Sequence, residues 1–291
     1  MSPLVSTTDL ATSLTGAEPP VVLDVRWRLG GPPGREDYAR GHLPGAVFLD
    51  LDTELSAPPG PGGRHPLPSP EDLQRVLRAA GVRDGGPVVV YDADNGSVAA
   101  RLWWLLRWAG HDQVRLLDGG YAAWVAEGRA VTTDVPSPEP GDVTVRPGQM
   151  PVVDADGAAD LARTGVLLDA RAPERYRGDV EPIDPKAGHV PGARNAPFAA
   201  HTGEDGRWRA PRELAEHFAN VGVPEKVETP EESGNTVGVY CGSGVTASSV
   251  VLALEVAGIT TPDAPATLYA GSWSNWSADP ARPVATGDAP D

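Results

Sequence analysis

Only one cysteine, Cys241, occurs in the 291 residues. That excludes an intrachain disulfide, a multi-cysteine metal site and a two-cysteine redox centre. Positive charge is scarce too: 24 Lys and Arg stand against 40 Asp and Glu, for a net charge of -16. A nucleic-acid-binding protein needs a basic footprint, and an anionic membrane would repel such a chain. The acidity reads as a solubility feature, so a small anionic substrate would need a local basic site. No apolar run approaches the roughly 20 residues of a membrane span. The opening residues 1–9 lack the charged-then-apolar layout of a secretion signal. His42, His65, His111, His189, His201 and His217 show no close pairing of the sort zinc sites use. A reducing, cytoplasmic setting is therefore expected, which suits a free thiol, and no metal or cofactor is called for.

What is present is a chain long enough for two domains with real cores. Hydrophobic residues make up 40% and charged residues 22%, as in soluble globular proteins. Four patterns recur in the same order. Val21–Val25 followed by Arg26 matches Val166–Ala170 followed by Arg171. Gly41-His42-Leu43-Pro44-Gly45-Ala46 matches Gly188-His189-Val190-Pro191-Gly192-Ala193. Val88-Val89-Val90-Tyr91-Asp92 matches Val237-Gly238-Val239-Tyr240-Cys241, and Asp118–Trp124 matches Ala270–Trp276. A spacing held near 150 residues through four ordered matches means a duplicated domain. Residues 1–131 form one half and 151–291 the other. Between them, residues 132–150 include Pro136-Ser137-Pro138-Glu139-Pro140-Gly141, the composition of a semi-rigid linker.

Each half alternates strands with helices. Ser69–Ala80 is a helix with Ser69 at the N-cap, Pro70 in the first helical position and Gly81 as its stop. Val98–Trp108, Tyr121–Glu127, Pro211–Val221 and Ala247–Ala257 are further helices, and Val114–Leu117 is a strand. This alternation implies an α/β fold: in each half a mostly parallel central sheet with helices on its faces. In such sheets ligands bind at the carboxyl ends of the strands, and Cys241 lies at one. The polar, acidic stretch Pro224–Asn235 reads as a solvated loop.

After Cys241 comes Gly242-Ser243-Gly244-Val245-Thr246 and then a helix. Two glycines let the backbone curl over the sulfur. A loop so curled, running into a helix start, aims N–H groups at one point and favours negative charge there. The thiolate is the nucleophilic form of cysteine, so the stretch reads as strand, reactive cysteine, anion-cradling loop and helix. The segment after Asp92, Ala93-Asp94-Asn95-Gly96-Ser97, lacks this Gly-x-Gly pattern and is expected to form no such cradle.

The two halves, the paired Gly-His-x-Pro-Gly-Ala motifs and the Cys-Gly-Ser-Gly-Val-Thr loop in the second half only resemble the tandem rhodanese-like sulfurtransferases. The closing Gly271-Ser272-Trp273 and Trp276 strengthen the likeness, which covers nearly the whole chain. The resemblance implies two rhodanese-like domains, the first catalytically silent with Asp92 in the cysteine's place. It implies a persulfide on Cys241, filled by a small anionic donor and emptied by cyanide, a small thiol or a thioredoxin-like acceptor. The loop looks most like that of 3-mercaptopyruvate sulfurtransferases. Thiosulfate-using members typically carry Cys-Arg-Lys-Gly-Val-Thr, and here Gly242 and Ser243 stand in place of that Arg-Lys pair.

The family's substrate-binding arginine maps to Arg175, in Arg175-Tyr176-Arg177-Gly178, with Arg177 a weaker candidate whose expected fate is surface solvation. Some members carry a second substrate arginine shortly afterwards; this chain has Glu181-Pro182-Ile183-Asp184 there. His42 matches a histidine that in some members relays protons with the loop serine, although its recurrence as His189 suits a structural hydrogen bonder. Thr246 is expected at the helix N-cap, and Arg171 in a structural ion pair. Two other readings stay open: a non-enzymatic persulfide carrier, and a phosphatase. The second would need an arginine where this loop has Ala247.

Overall fold

A computed structural model describes residues 2–227 and 236–290. The chain divides into two compact units. One comprises residues 1–57, 67–149 and 202–208, and the other 58–66, 150–201 and 209–291. Each unit thus takes in a short segment from the other half of the sequence.

The first unit runs β1 (Leu4–Val5), α1 (Thr7–Ser13), β2 (Val21–Asp24), α2 (Gly34–Arg40), β3 (Val47–Phe48), α3 (Pro70–Ala79), β4 (Val88–Tyr91), α4 (Ala99–Trp108), β5 (Val114–Leu117) and α5 (Gly120–Ala126). Its five strands pair in the order β1-β5-β4-β2-β3, all parallel. The central β4 is buried along its whole length, as its unbroken Val-Val-Val-Tyr run requires. Local signals set the helix ends. Ser69 Oγ accepts the Asp72 N–H at 3.0 Å, Pro70 opens α3, and Gly81 closes it at φ +83°. The 132–149 stretch lies along this unit: the Gly141 N–H reaches Arg78 O at 2.8 Å, and Val143 is buried with its N–H on Val82 O. Its prolines keep it extended while its hydrogen bonds fix it in place.

The second unit runs β6 (Val152–Val153), α6 (Ala155–Thr164), β7 (Val166–Asp169), α7 (Pro173–Arg177), β8 (Arg194–Asn195), α8 (Pro211–Asn220), β9 (Val237–Tyr240), α9 (Ala247–Val256), β10 (Thr267–Tyr269) and α10 (Ser272–Trp276). Its order is β6-β10-β9-β7-β8, again all parallel. The same topology twice, each sheet flanked by helices, is the α/β duplication that the repeats imply. Of the acidic stretch Pro224–Asn235, residues 228–235 lie outside the described residues.

The matched motifs have matched roles. Tyr38 stacks on His42 at 3.8 Å, and Tyr176 stacks on His189 at 3.7 Å. The Tyr38 and Tyr176 hydroxyls donate to Ala46 O and Ala193 O, each at 2.7 Å. Arg26 pairs with Asp24 and Arg171 with Asp169, buried in both units. These repeated residues brace the strand ends that carry Asp92 and Cys241.

The expectation of no cradle after Asp92 is corrected. The Asp92 carboxylate accepts N–H groups from Gly96 and Val98 at 2.9 Å, Ala99 at 3.0 Å and Asp94 at 3.2 Å. One glycine in the left-handed region, Gly96 at φ +75°, is enough to turn this loop. The cradle exists and is filled by the unit's own side chain. Burial pushes the Asp92 carboxyl above its usual range, and the N–H groups offset part of that.

Candidate active site

Cys241 follows β9, the central strand of its sheet, and is 2% exposed. Its Sγ accepts the Gly244 N–H at 3.1 Å. Gly244 turns the loop at φ +82°, and a Cβ there would run into Ala270 O, so no side chain fits. The loop is tied to the start of α10. Cys241 O accepts the Trp273 N–H and Gly242 O the Ser274 N–H, each at 2.9 Å. The Cys241 N–H donates to Ser272 Oγ at 3.1 Å, and that hydroxyl donates to Tyr269 O at 2.9 Å. Ser272 holds φ +54°, the only described non-glycine residue in the left-handed region. That backbone costs an L-residue about 1–2 kcal/mol, and here it aims a hydroxyl at the nucleophile's own amide.

Ser243, next but one to the cysteine, shares a 2.7 Å hydrogen bond between its Oγ and His65 Nδ1. Both residues are buried. Sequence reading missed His65. No local motif marks this histidine, because segment 58–66 joins the unit from far upstream. The same segment is docked on α10: Ser274 Oγ accepts the Arg64 N–H at 3.1 Å, and Asn275 Nδ2 donates to Pro61 O at 2.7 Å.

Two guanidiniums flank Gly242. A Cβ added there would lie 2.9 Å from Arg64 Nη2 and 3.5 Å from Arg175 Nη1. Arg175 projects from α7 and donates to Glu181 at 2.7 and 2.9 Å and to Asp184 at 3.2 Å. Arg64 pairs with the other oxygen of Asp184. Glu181 also meets Arg171 at 3.3 Å. Burial pushes the Asp184 carboxyl up, while Arg64 pulls it down. Where some family members carry a second substrate arginine this chain has Asp184, and a guanidinium comes from elsewhere in the chain, Arg64. Arg64 too was missed from sequence.

The remaining candidates separate. Gly242, Ser243, Gly244 and Val245 are buried with Cys241, and Thr246 occupies the N-cap of α9 without a side-chain capping bond. Its carbonyl instead accepts the Ser249 hydroxyl at 2.9 Å. Arg177 points to Asp179 at 2.8 Å on the surface. His42 belongs to the first unit, with Nδ1 2.9 Å from Tyr38 O and Nε2 3.1 Å from Asp134 O. Within the second unit the histidine that meets the loop serine is His65.

A nucleophile with an N–H on its sulfur, a serine–histidine pair beside it and guanidiniums at the next residue can attack a small anion and hold the charge transferred. A family model for the rhodanese-like domain matches residues 6–127 and again 154–279. The chain belongs to the rhodanese-like family. This rhodanese-like chain is 48% identical over 274 residues to a probable 3-mercaptopyruvate sulfurtransferase of Pseudomonas aeruginosa, covering 92% of this chain and 93% of that one. It is 45% identical over 292 residues to a putative thiosulfate sulfurtransferase, SseB, of Mycobacterium tuberculosis, covering 98% of each. The crystal structure of SseA from Escherichia coli, a 3-mercaptopyruvate sulfotransferase of rhodanese fold, superposes with a TM-score of 0.80. Identity there is 30%, over 94% of this chain and all of that one. Among the described residues no helix is long and apolar enough to cross a membrane.

Proposed function

We propose that the protein is a sulfurtransferase that moves a sulfane sulfur from a small anionic donor to an acceptor through a persulfide on Cys241. The favoured donor is 3-mercaptopyruvate, with thiosulfate as the alternative. The acceptors are cyanide, a small thiol or a thioredoxin-like protein, in a cytoplasmic setting. The observation that carries this reading is the lone nucleophile inside an N–H loop whose next residue faces two guanidiniums.

The Cys241 thiolate attacks the donor's outer sulfur. With thiosulfate the S–S bond breaks, sulfite leaves with the electron pair, and Cys241 retains a persulfide anion. With 3-mercaptopyruvate the C–S bond breaks and the pyruvate enolate leaves, then takes up a proton. Ser243, two residues from the nucleophile and hydrogen-bonded to His65, passes that proton. The Gly244 N–H, which meets Sγ, stabilises the negative charge of the persulfide. Cyanide then removes that sulfur as thiocyanate and restores the thiolate. Arg175 orients the donor's anionic end.

The test is a side-by-side assay of the purified protein with each donor, cyanide as acceptor and thiocyanate as readout. Cys241→Ser is expected to fall to the uncatalysed rate while its circular dichroism stays that of the parent. Substantial turnover by that variant would remove Cys241 from the mechanism. Folded parent protein inert with both donors would favour a persulfide carrier.

A further inference from the structure

We propose that the first unit carries a binding pocket for a small hydrophobic carboxylate, with an apolar wall for its body and the Arg129 guanidinium for its charge. The pocket has a volume of about 630 Å³, within the range of small-molecule sites. The residues lining it belong to the first unit. Ala11 and Leu14 at the end of α1, Pro20, Val22 and the Trp124 indole make the wall apolar. Apolar surface left facing water is a cost that the body of a ligand removes.

The duplication shows that this space is particular to the first unit. Ser6 and Asp154 cap α1 and α6, so Leu14 falls opposite Ala162. In the second unit α6 packs straight onto the turn at Pro191-Gly192. A Cβ at Gly192 would lie 2.9 Å from Ala162 O and 3.2 Å from Ala162 Cβ, and the Gly192 N–H donates to Pro290 O. In the first unit a Cβ at Gly45 would meet nothing within 4 Å. Loop length accounts for the difference. Fifteen positions separate Ser6 from Val21 at the start of β2, against twelve from Asp154 to Val166 at the start of β7. The longer loop brings Thr15, Pro19 and Pro20 to the pocket. Proline fixes its own φ, so that wall is set before a ligand arrives.

Charge decides which ligand fits. Trp124 Nε1 donates to Ala130 O and Trp276 Nε1 to Pro283 O, each at 2.8 Å, which makes Arg129 and Arg282 counterparts. Each guanidinium lies over its indole, at 5.3 and 4.8 Å from the ring centre. Arg282 meets two carboxylates, Asp156 at 2.8 Å and Asp279 at 3.7 Å. Arg129 meets one, Glu127 at 2.7 Å, and shares it with Arg207 at 2.5 Å. Two guanidiniums facing one carboxylate leave a positive surplus at the pocket, in a chain whose net charge is -16. An anionic group on an apolar body answers both features, because a guanidinium pairs with a carboxylate through two parallel N–H bonds.

The test is isothermal titration of the full-length protein with 2-naphthoate, with no sulfur donor present. One saturable site is expected. The amide 2-naphthamide keeps the rings and drops the charge, and should bind about tenfold more weakly. Arg129→Gln should weaken naphthoate about tenfold and leave naphthamide where it was. Thr15→Trp sets an indole into the pocket from an exposed position and should abolish binding of both probes. No saturable naphthoate binding, or binding that Thr15→Trp leaves intact, overturns the proposal. Equal weakening of acid and amide by Arg129→Gln overturns the role given to the guanidinium. Either variant decides alone if the other does not fold. Sedimentation velocity covers the remaining occupant: dimers of the parent that Thr15→Trp dissociates would put a second copy of the chain in the pocket and overturn the small-ligand assignment.

Discussion

The Cys241 loop and the Asp92 loop are the same strand-loop-helix unit, built twice and put to different ends. In both, a central parallel strand ends in a buried tyrosine, and a left-handed glycine turns the loop that follows, bringing backbone N–H to the strand-end side chain. In the first unit the Asp92 carboxylate accepts four of those N–H groups. In the second, Sγ takes the Gly244 N–H. The surroundings diverge in step. Just before the stacked tyrosine, the second unit has Arg175 and the first has Asp37, which pairs with Arg28 and Arg40. An anion-cradling loop is thus not in itself an active site. It becomes one when the cradle is left for a transferable charge and cations face it.

Ranked by effect on sulfur transfer, the glycine of the turn comes first after the cysteine itself. Gly244→Ala would force a Cβ against Ala270 O, a backbone atom that cannot step aside. With the left-handed strain of about 1–2 kcal/mol added, it should lower the melting temperature and reduce kcat/KM by roughly 100-fold or more through loss of loop geometry. Gly96→Ala meets instead Leu116 Cδ2 at 2.7 Å, the end of a flexible side chain. It should destabilise the first unit while the folded fraction retains kcat. Equal loss of kcat in both variants would break the comparison.

Arg175→Ala follows. It removes a guanidinium facing Gly242 and leaves Glu181 and Asp184 short of a partner. Donor KM should rise at least about tenfold with a smaller change in kcat, as expected for a charge-assisted binding contact. Donor saturation curves check this, and an unchanged KM would take Arg175 out of the site. Asp37→Ala, at the matching place in the first unit, should leave donor KM where it was.

What could be read from sequence follows from how local each signal is. Val88–Tyr91 and Val237–Tyr240 announce buried strands by composition, and Gly242 and Gly244 announce a turn over the sulfur. Pro70 and Pro211 mark helix starts to the residue. Arg64 and His65 were illegible for the opposite reason. They reach the cysteine loop through the docking of segment 58–66, and no spacing rule spans that distance. A signal was nevertheless present. His42 recurs as His189 and does the same structural work in both units, each Nδ1 meeting a tyrosine carbonyl. Counting back from the helix-opening prolines, His65 falls opposite Gly206 and Arg64 opposite Asp205. In a duplicated chain the residues without a counterpart are the specialised ones, and that contrast singles out Arg64, His65, Arg175 and Cys241 together.

Ser272 and Gly120 sharpen the point at smaller amplitude. Both hold φ +54°, so the turn is shared and only the side chain differs. Ser272→Gly relieves strain of about 1–2 kcal/mol and loses hydroxyl bonds worth about 1 kcal/mol each. Stability should change by no more than about 1 kcal/mol, while kcat falls several-fold as the Cys241 amide loses its partner. Denaturant midpoints and initial rates on the same preparation separate the two. A kcat equal to the parent's would make the hydroxyl a folding device only. The reverse change, Gly120→Ser, places a Cβ 2.8 Å from Asp92 O and 2.9 Å from Asp94 O, and should destabilise the first unit.

The least effect on transfer is expected from putting a cysteine where the first unit has its carboxylate. Asp92→Cys, made in the Cys241→Ser background, keeps the central strand, the turning glycine and the inward N–H groups. It costs stability, because N–H groups that met a carboxylate lose their acceptor, at about 1–3 kcal/mol for such a loss. What it does not gain is a guanidinium in Arg175's place, where Asp37 stands, or the serine–histidine pair, since His65 falls opposite Gly206 in the alignment of the halves. Incubation with thiosulfate or 3-mercaptopyruvate should therefore leave its mass unchanged, with no added sulfur atom. A persulfide on the introduced thiol would mean that the N–H loop alone suffices to take sulfur from the donor, and the difference between the two halves would reduce to the identity of one side chain.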